Sequence, residues 1–532
     1  MKKLLLLTFT IVFMTAAACG DSFSTKPYVP SATAADITSA TEVSPVPAVQ
    51  DEACIHKDTD NNGLCDLCNA DVLAVIDIYA LNDLHGKFKD SDAQPGVDEM
   101  TAWLKTRQML DDNFVILSSG DMWQGSSESN LTRGNLVTEW MNDLDFVSMT
   151  FGNHEYDWGR EYIEKNEELA EFPFLAINIY EKATKSLASY CTPSVVIERE
   201  GVKIGIIGAI GDCYSSISGK MVSDVYFLTG ADLTRLVKAE AERLRKEEGC
   251  KIIVYSVHDG YSKNVSGTGT IAVGQLSSYF DPTLSDGYVD VVFEGHTHKA
   301  YALKDFYGVW HLQGGGDNTT GLSHVCMEYN KANDTLVTSE AGIVSHNTYK
   351  YDQNPDPIVE TLLAKYDDVI GDINAVIANI PERMDGDELR QLCAVLYYDA
   401  AMERWGDKYD IALAGGYFSI RSPRSLAAGE VTYSDLQMLF PFDNQLVLCE
   451  CKGIDLNNNF FETTNDNYFI NYGEYGEEVK NHLAPNAVYY LVTDTYSSSY
   501  GPNHLTEVEL YDADVFARDL LADYFKEKYG VK

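Results

Sequence analysis

Five near-continuous apolar runs between residues 72 and 345 constrain the fold of this chain more than any other feature. Runs that do not alternate with polar residues are typical of strands covered on both faces. A segment of helical spacing, with a charged last turn and a closing glycine, lies among them. The runs are VLAVIDIYAL, NFVILSS, DFVSMTF, KIIVYSV and YVDVVFE, and the helical segment is ADLTRLVKAEAERLRKEEG. This succession predicts a layered α/β domain.

Each apolar run is followed at once by side chains of the kind that bind metal ions. In an α/β sheet, loops at the carboxyl ends of the strands converge on one crevice, so these side chains are expected to meet. Each loop alone also fits a hydrogen-bonded turn, but its recurrence after every run favours a shared site. The candidate ligands are Asp83 and His85 in NDLHG, Asp121 in GDMWQG, Asn153 in GNHEYDWG, His258 in HDG, and His296 and His298 in GHTH.

These seven donors are too many for one tetrahedral ion, and they indicate two ions. Carboxylate, amide and imidazole ligands suit zinc, manganese or another first-row divalent ion. Two ions roughly 3.5 to 4 Å apart can clamp the attacking and leaving oxygens of an in-line displacement at phosphorus. The pattern therefore indicates metal-assisted hydrolysis of phosphoesters.

Together these motifs resemble those of the calcineurin-like metallophosphoesterases, and the chain from about residue 72 onward is similar to the secreted bacterial 5'-nucleotidases. The resemblance implies a four-layer β-sandwich flanked by helices, followed by a second, α+β domain that selects the substrate. The expected boundaries are residues 71–348 for the first domain, 349–380 for a linker helix and 381–532 for the second domain.

The resemblance also implies a role for each candidate residue. His154, paired with Asp157, would be the catalytic histidine that binds no metal, and it would stabilise charge on the phosphoryl oxygens and assist the leaving group. Asp121 would bridge the two ions. One ion would be held by Asp83, His85, Asp121 and His298, and the other by Asp121, Asn153, His258 and His296.

The C-terminal part contains the segments LAGGYFSIRSPR and FPFDNQLV, which are similar to substrate-binding segments of that family. Arg421, Arg390 and Arg424 are therefore candidates for binding phosphate or carboxylate, because a guanidinium fork makes bidentate contacts. Phe442 and Tyr496 fall where two aromatic rings would sandwich a base, and core packing is the alternative for each.

Two departures from the family's pattern leave the choice of nucleotide open. Ala414 stands where the family has an asparagine, and SSYGPNH lacks the usual aspartate after the second ring. A binding site that loses a buried hydrogen-bonding partner discriminates differently among substrates.

The N-terminus predicts export. Residues 1–18 join a lysine pair to a short apolar stretch and small residues, as in a signal peptide. Cys19 follows AAA, so it could carry a lipid that anchors the chain to the cell envelope, with plain cleavage as the alternative. Residues 19–53, rich in Ser, Thr, Ala and Pro, predict a flexible tether.

Residues 54–70, CIHKDTDNNGLCDLCNA, form a small module with three alternative interpretations. Asp58, Asp60 and Asn62, followed by a glycine, have the spacing of an oxygen-ligand calcium loop, although the late glutamate of an EF-hand is missing. A disulfide-stapled turn is the second interpretation. The third is a zinc site made by Cys54, His56, Cys65 and Cys68.

The charge of the chain limits its partners. With 81 acidic and 40 basic residues, the formal net charge of −41 repels a phosphate backbone, so a nucleic-acid polymer is excluded as a partner. A small phosphorylated substrate remains compatible, because bound cations reverse the local field. We expect a monomer outside the cytoplasm that removes phosphate from extracellular nucleotides. The alternatives are a 2',3'-cyclic nucleotide phosphodiesterase, a UDP-sugar hydrolase or a surface adhesion protein on the same fold.

Overall fold

The computed structural model describes residues 56–89, 96–261, 266–271, 280–316, 321–348, 355–421, 424–456, 469–473, 476, 482–500, 505–511 and 515–531. The chain divides into two compact units. The small unit contains the residues up to Val75 together with Cys326–Glu340, and the large unit contains Ile76–Val325 and Ala341–Lys532. The predicted signal peptide, Cys19 and the tether lie outside the described residues.

Two large sheets form the phosphoesterase part. Their strands are mostly apolar and buried, as expected for strands covered on both faces, and all seven residues of Ile252–His258 are buried. The first sheet has the order Thr335–Ser345, Gly321–Asn330, Leu73–Leu81, Val115–Ser118, Met149–Thr150 and Phe174–Leu175. The second has the order Gly267–Thr270, Ala300–Lys304, Trp310–Gly314, Val291–Glu294, Ile252–His258, Val202–Ile210 and Ser194–Arg199.

Helices cover the outer faces of the two sheets, which gives four layers. Trp140 and Leu104, from two helices, pack in one core with Ile116 of the first sheet. Val237 packs in another core with Ile253 of the second sheet. Between the sheets, Ser256 Oγ lies 2.7 Å from Thr150 Oγ1. The covering helices are Asp98–Leu110, Ser127–Leu131, Asn135–Asp143, Arg160–Leu169 and Gly230–Arg243. The predicted layered sandwich is confirmed.

The parallel strands bring their carboxyl ends to the same edge. Leu73–Leu81 pairs in parallel with Val115–Ser118, which pairs in parallel with Met149–Thr150. In the second sheet Ile252–His258 pairs in parallel with Val291–Glu294. The five polar loops therefore emerge together.

The C-terminal part is an α+β domain built on a five-stranded sheet. Its order is Phe469–Asn471, Ile411–Gly416, Val488–Asp494, Leu446–Lys452 and Thr506–Leu510. The helix Gly386–Trp405 begins with a capping box between Asp385 and Glu388 and packs its buried face against this sheet. The other helices are Tyr433–Leu439, Gly453–Leu456, Thr495–Tyr500 and Ala517–Tyr529.

The linker differs from the predicted continuous helix. Its helices are short, Ile358–Lys365 and Asp367–Ile370, and Gly371 follows with φ of 60°. That conformation ends a helix and favours glycine. The last part of the linker, Val376–Ile380, is a strand paired with Gly429–Thr432. Among the described residues, no helix is both long and apolar enough to cross a membrane.

Candidate active site

The first cluster of metal-type side chains joins the end of strand Leu73–Leu81 to the GHTH loop. His85 Nε2 lies 3.0 Å from His298 Nε2, and His298 Nε2 lies 3.3 Å from Asp83 Oδ1. One ligand atom from each of these three residues lies within 4.8 Å of the other two. Three converging donors of this kind fit a first-row divalent ion.

The second cluster contains Asp121, His258 and His296, again with their ligand atoms within 4.8 Å of one another. His258 Nε2 lies 3.0 Å from Asp121 Oδ2. Asn153 extends the cluster, because its Oδ1 lies 2.8 Å from His296 Nδ1. Asp121 also groups with His85 of the first cluster. This carboxylate therefore lies where a bridge between two ions is needed.

The hydrogen bonds behind two of the imidazoles turn their Nε2 atoms toward the cluster. His85 Nδ1 donates to the carbonyl of Gln124 at 2.7 Å, and His258 Nδ1 donates to the carbonyl of Ser119 at 2.7 Å. A carbonyl can only accept, so each Nδ1 carries a proton and each Nε2 is the atom that can bind an ion. This second layer of hydrogen bonds is the usual arrangement behind metal-binding histidines. The residues present therefore fit a pair of divalent ions.

Backbone strain is concentrated in the same loops. A positive φ is uncommon for a residue with a side chain and costs on the order of 1–3 kcal/mol. Such strain persists where the surroundings hold it, typically at functional sites. Five of the seven candidate ligands have it, with φ between 50° and 69°: Asp83, His85, Asp121, His296 and His298.

His154 lies beside the clusters in the loop GNHEYDWG. Its Nδ1 donates to Asp157 Oδ2 at 2.7 Å, and its backbone N–H donates to Asp121 Oδ1 at 2.8 Å. Burial lowers the pKa of His154, but the carboxylates of Asp157 and Asp121 outweigh it and raise the pKa above the usual value. Arg421 Nη2 lies 2.8 Å from His154 Nε2.

Sequence reasoning assigned no role to Glu155, which fixes two of the loops to each other. Its carboxylate accepts from the backbone N–H groups of Asp121, Met122 and Gly152 at 2.9, 2.8 and 2.7 Å. Burial and the charge of Asp121 raise the pKa of Glu155 to about 7. The signal in the sequence was the position of Glu155, next to the candidate catalytic histidine.

Gln313 and Asn82 were also missed. Gln313 Oε1 accepts from Thr297 Oγ1 at 3.0 Å and from Lys299 N at 2.8 Å, and its Nε2 donates to the carbonyl of Gly295 at 2.8 Å. It therefore clamps both sides of GHTH. Asn82 Nδ2 donates to Asp83 Oδ2 at 2.6 Å. Gln313 lies on a strand whose sequence has no motif, so nothing local indicated its position.

The C-terminal candidates line the same cleft as the metal-type residues. Arg390, Arg421, Arg424, Phe442 and Tyr496 all border it, together with Asp121, Asn153 and His154. The Phe442 ring stacks on His154 with centroids 5.8 Å apart and an interplanar angle of 26°. Arg421 covers Phe442, with the guanidinium carbon 5.3 Å from the ring centroid. Tyr496 lies 6.3 Å from Tyr417, which also lines the cleft.

The small unit gathers two further donor groups. Asp58, Asp60 and Asp66 form one group. The side chain of Asn62 lies beside this group, because its Nδ2 donates to Asp60 Oδ2 at 3.0 Å, and its Oδ1 accepts from Leu64 N at 2.8 Å. His56, Cys65 and Cys68 form the other group, and Cys54 lies outside the described residues. Farther along the chain, Cys449 and Cys451 are free and buried.

Comparison with known proteins matches both parts of the chain. A family model for calcineurin-like phosphoesterases matches residues 76–300, and one for the 5'-nucleotidase C-terminal domain matches residues 369–473. Protein UshA of Yersinia enterocolitica is 25% identical over 428 residues, covering 72% of this chain and 74% of that protein. A 5'-nucleotidase of Vibrio parahaemolyticus is 24% identical over 445 residues, with 72% and 74% covered.

Among solved structures, that of a 5'-nucleotidase precursor from Thermus thermophilus has the same fold. Its TM-score is 0.60 at 19% identity, and the match covers 86% of this chain and 97% of that chain. The fold and the site thus define a calcineurin-like metallophosphoesterase, a metal-dependent phosphoric ester hydrolase. The chain belongs to the family in which this domain is followed by the 5'-nucleotidase C-terminal domain.

Proposed function

We propose that this protein is a dimetal 5'-nucleotidase-like phosphohydrolase that releases phosphate from extracellular nucleotides. One observation carries the proposal. A single cleft is bordered by members of both metal-type clusters and by the His154–Asp157 pair. Three arginines and two aromatic rings of the C-terminal domain border the same cleft. The family match and the 5'-nucleotidase among the relatives support a nucleotide as the substrate.

The residues assigned to the two ions follow the two clusters. Asp83, His85 and His298 would hold one ion, and His258, His296 and Asn153 the other, with Asp121 bridging. Zinc or manganese fits these donors. When bound, two such ions neutralise phosphoryl oxygens and supply an activated water.

His154 would act on the leaving group. Asp157 holds the Nδ1 proton, which turns Nε2 toward the cleft and favours the charged ring. A charged ring next to the phosphoryl group stabilises developing negative charge and can pass its Nε2 proton to the leaving oxygen. Arg421 Nη2 lies 2.8 Å from the same nitrogen. A phosphoryl oxygen that displaced this contact would accept from both groups.

The C-terminal residues would recognise the rest of the substrate. Arg421, Arg390 and Arg424 offer guanidinium groups to phosphate oxygens. Phe442 and Tyr496 offer ring faces to a base, and stacking favours any base about equally. The second domain would therefore raise the affinity for nucleotides in general more than it would discriminate among their bases.

The test is phosphate release by the purified chain, residues 51–532, with added manganese or zinc. Its substrates are AMP, ATP, UDP-glucose, a 2',3'-cyclic nucleotide and an aryl phosphate, with His154→Ala as the inactive control. Preferred cleavage of AMP or ATP is the expected result. Preferred cleavage of UDP-glucose or of the cyclic nucleotide would assign that compound's class as the substrate in place of nucleoside 5'-phosphates. Turnover of the aryl phosphate alone would contradict the nucleotide assignment.

We also propose that the mature chain is a monomer anchored outside the cytoplasm by a lipid on Cys19. The position of Cys19 after the apolar stretch and small residues supports the lipid anchor. Incorporation of a labelled fatty acid into the wild type and not into Cys19→Ser would test it. Calcium at Asp58, Asp60 and Asn62 stays a prediction, and the carboxylate of Asp66 lies close to those of Asp58 and Asp60.

A further inference from the structure

The start of the described chain folds so that three soft donors meet. His56 Nδ1 lies 3.4 Å from Cys68 Sγ, and the ligand atoms of His56, Cys65 and Cys68 are within 4.8 Å of one another. We propose that these three residues bind a zinc ion, separate from the two ions of the active site. The proposal does not depend on the proposed function, because none of the candidate active-site ligands is a cysteine.

The distances fit a zinc ion. With Zn–S of about 2.3 Å and Zn–N of about 2.0–2.1 Å, a tetrahedral site places sulfur and nitrogen ligands about 3.6 Å apart. The separation of 3.4 Å between His56 Nδ1 and Cys68 Sγ is close to that value. Thiolate and imidazole donors suit zinc and do not suit calcium. Three protein ligands leave the fourth position for water or a further donor.

The turn that carries Cys65 is held by its backbone. Asn69 N donates to Cys65 O and Cys65 N donates to Ala70 O, both at 2.8 Å. This turn keeps the Cys65 sulfur close to His56 and Cys68. A thiolate at this position is the form of cysteine that binds metal.

The ion would close the loop between His56 and Cys65. Asp58 already organises this loop, since its carboxylate accepts from Asn62 N at 3.0 Å and from Gly63 N at 2.9 Å. It also accepts from Asn330 Nδ2 at 2.7 Å, within the small unit. Zinc at the two ends of the loop would therefore stabilise the small unit and leave the phosphoesterase chemistry unchanged.

Cobalt substitution distinguishes this site from the active site. Cobalt(II) added to the reduced, metal-free chain, residues 51–532, gives a thiolate-to-cobalt charge-transfer band only where cysteine is a ligand. We expect the band in the wild type, its loss in Cys68→Ser, and its weakening in His56→Ala. Cys250→Ala is the matched control, because it removes a buried thiol elsewhere and should keep the full band.

Zinc analysis gives a second readout. We expect the wild type to retain one more zinc per chain than Cys68→Ser, with equal turnover of an aryl phosphate by the two proteins. Absence of the band in the reduced wild type, or an equal band in Cys68→Ser, would overturn the proposal. So would peptide mapping of unreduced, exported protein that finds Cys65 or Cys68 in a disulfide.

Discussion

The two sides of the cleft are built differently. On the phosphoesterase side, candidate ligands follow parallel strands and are fixed by buried hydrogen bonds from Gln124, Ser119, Glu155 and Gln313. On the C-terminal side, Arg421 and Phe442 lie on connections between elements, and their contacts reach across to His154. The candidate ligands are therefore held by their own domain, whereas Arg421 and Phe442 depend partly on contacts with the phosphoesterase domain.

This difference indicates that the phosphoesterase side carries out the reaction and that the C-terminal side selects the substrate. Donors held within about half an ångström of their working geometry support a demanding reaction. Side chains on loops adapt to different ligands. We therefore expect substitutions on the phosphoesterase side to reduce kcat or metal content, and substitutions on the C-terminal side to raise KM.

The largest effect is expected for Asp121→Ala. Loss of a bridging carboxylate should lower kcat by at least about 10³-fold, since several kcal/mol of metal-derived stabilisation are lost. Metal content should fall with activity. Elemental analysis and initial rates measure both, and Asp232→Asn, on an exposed helix surface, is the control. Full metal content in Asp121→Ala would remove this residue from the ligand set.

His154→Ala should lower kcat by roughly 10²–10⁴-fold, the usual contribution of a general acid. Metal content should stay at the wild-type level, because the imidazole is assigned to the substrate. The kcat of Asp157→Asn should lie between those of His154→Ala and the wild type, because this change keeps the imidazole ring in place and removes the carboxylate charge. Equal metal loss in His154→Ala and Asp121→Ala would refute the division of roles.

Gln313→Leu should lower activity or metal affinity by up to about 100-fold, as is usual for groups that orient metal ligands. The GHTH loop would lose three hydrogen bonds, while KM for the nucleotide should not change. Gln313→Glu keeps the acceptor for Thr297 and Lys299 and loses the donor to Gly295, so an intermediate value is expected. A change in KM alone would contradict a positioning role.

His311 predicts the pH dependence of stability. Burial lowers its pKa, but contacts with Asp305 and Glu294 raise it from 6.5 to about 9. A histidine with a raised folded-state pKa contributes fully to the free energy of unfolding below pH 6.5, and this contribution is lost as pH rises through 9. Between pH 7 and 9.5 the free energy of unfolding should fall by about 2 kcal/mol. Denaturant unfolding of the metal-free protein measures it, and His311→Gln should show a flatter dependence.

Arg421→Ala is expected to have the smallest effect, a rise in KM of about tenfold. Arg421→Lys keeps the charge and loses the fork, so its KM should lie between those of Arg421→Ala and the wild type. Arg235→Ala, on an exposed helix surface, is the control. An unchanged KM for AMP and ATP would show that the C-terminal side does not bind the phosphate.

Much of the site could be predicted because its signals are local. Unbroken apolar runs identified the buried strands, and the polar residues after them identified the ligands that the structure gathers into Asp83–His85–His298 and Asp121–His258–His296. The helix predicted through residue 380 failed where Gly371 leaves the helical region and the following residues pair with a distant strand. Helical spacing cannot reveal a strand partner fifty residues away.

The sequence by itself determined the layered fold and the candidate ligands, because strand periodicity and residue chemistry are properties of short segments. The resemblance to a known family indicated the candidate catalytic histidine. Only the tertiary structure decided which ligands share a cluster, that Glu155 and Gln313 clamp the loops, and that Arg421 meets His154. It likewise brought Asp66 to Asp58 and Asp60. These are contacts between side chains from different segments, and the path of the backbone through space, not its spacing along the chain, brings them together.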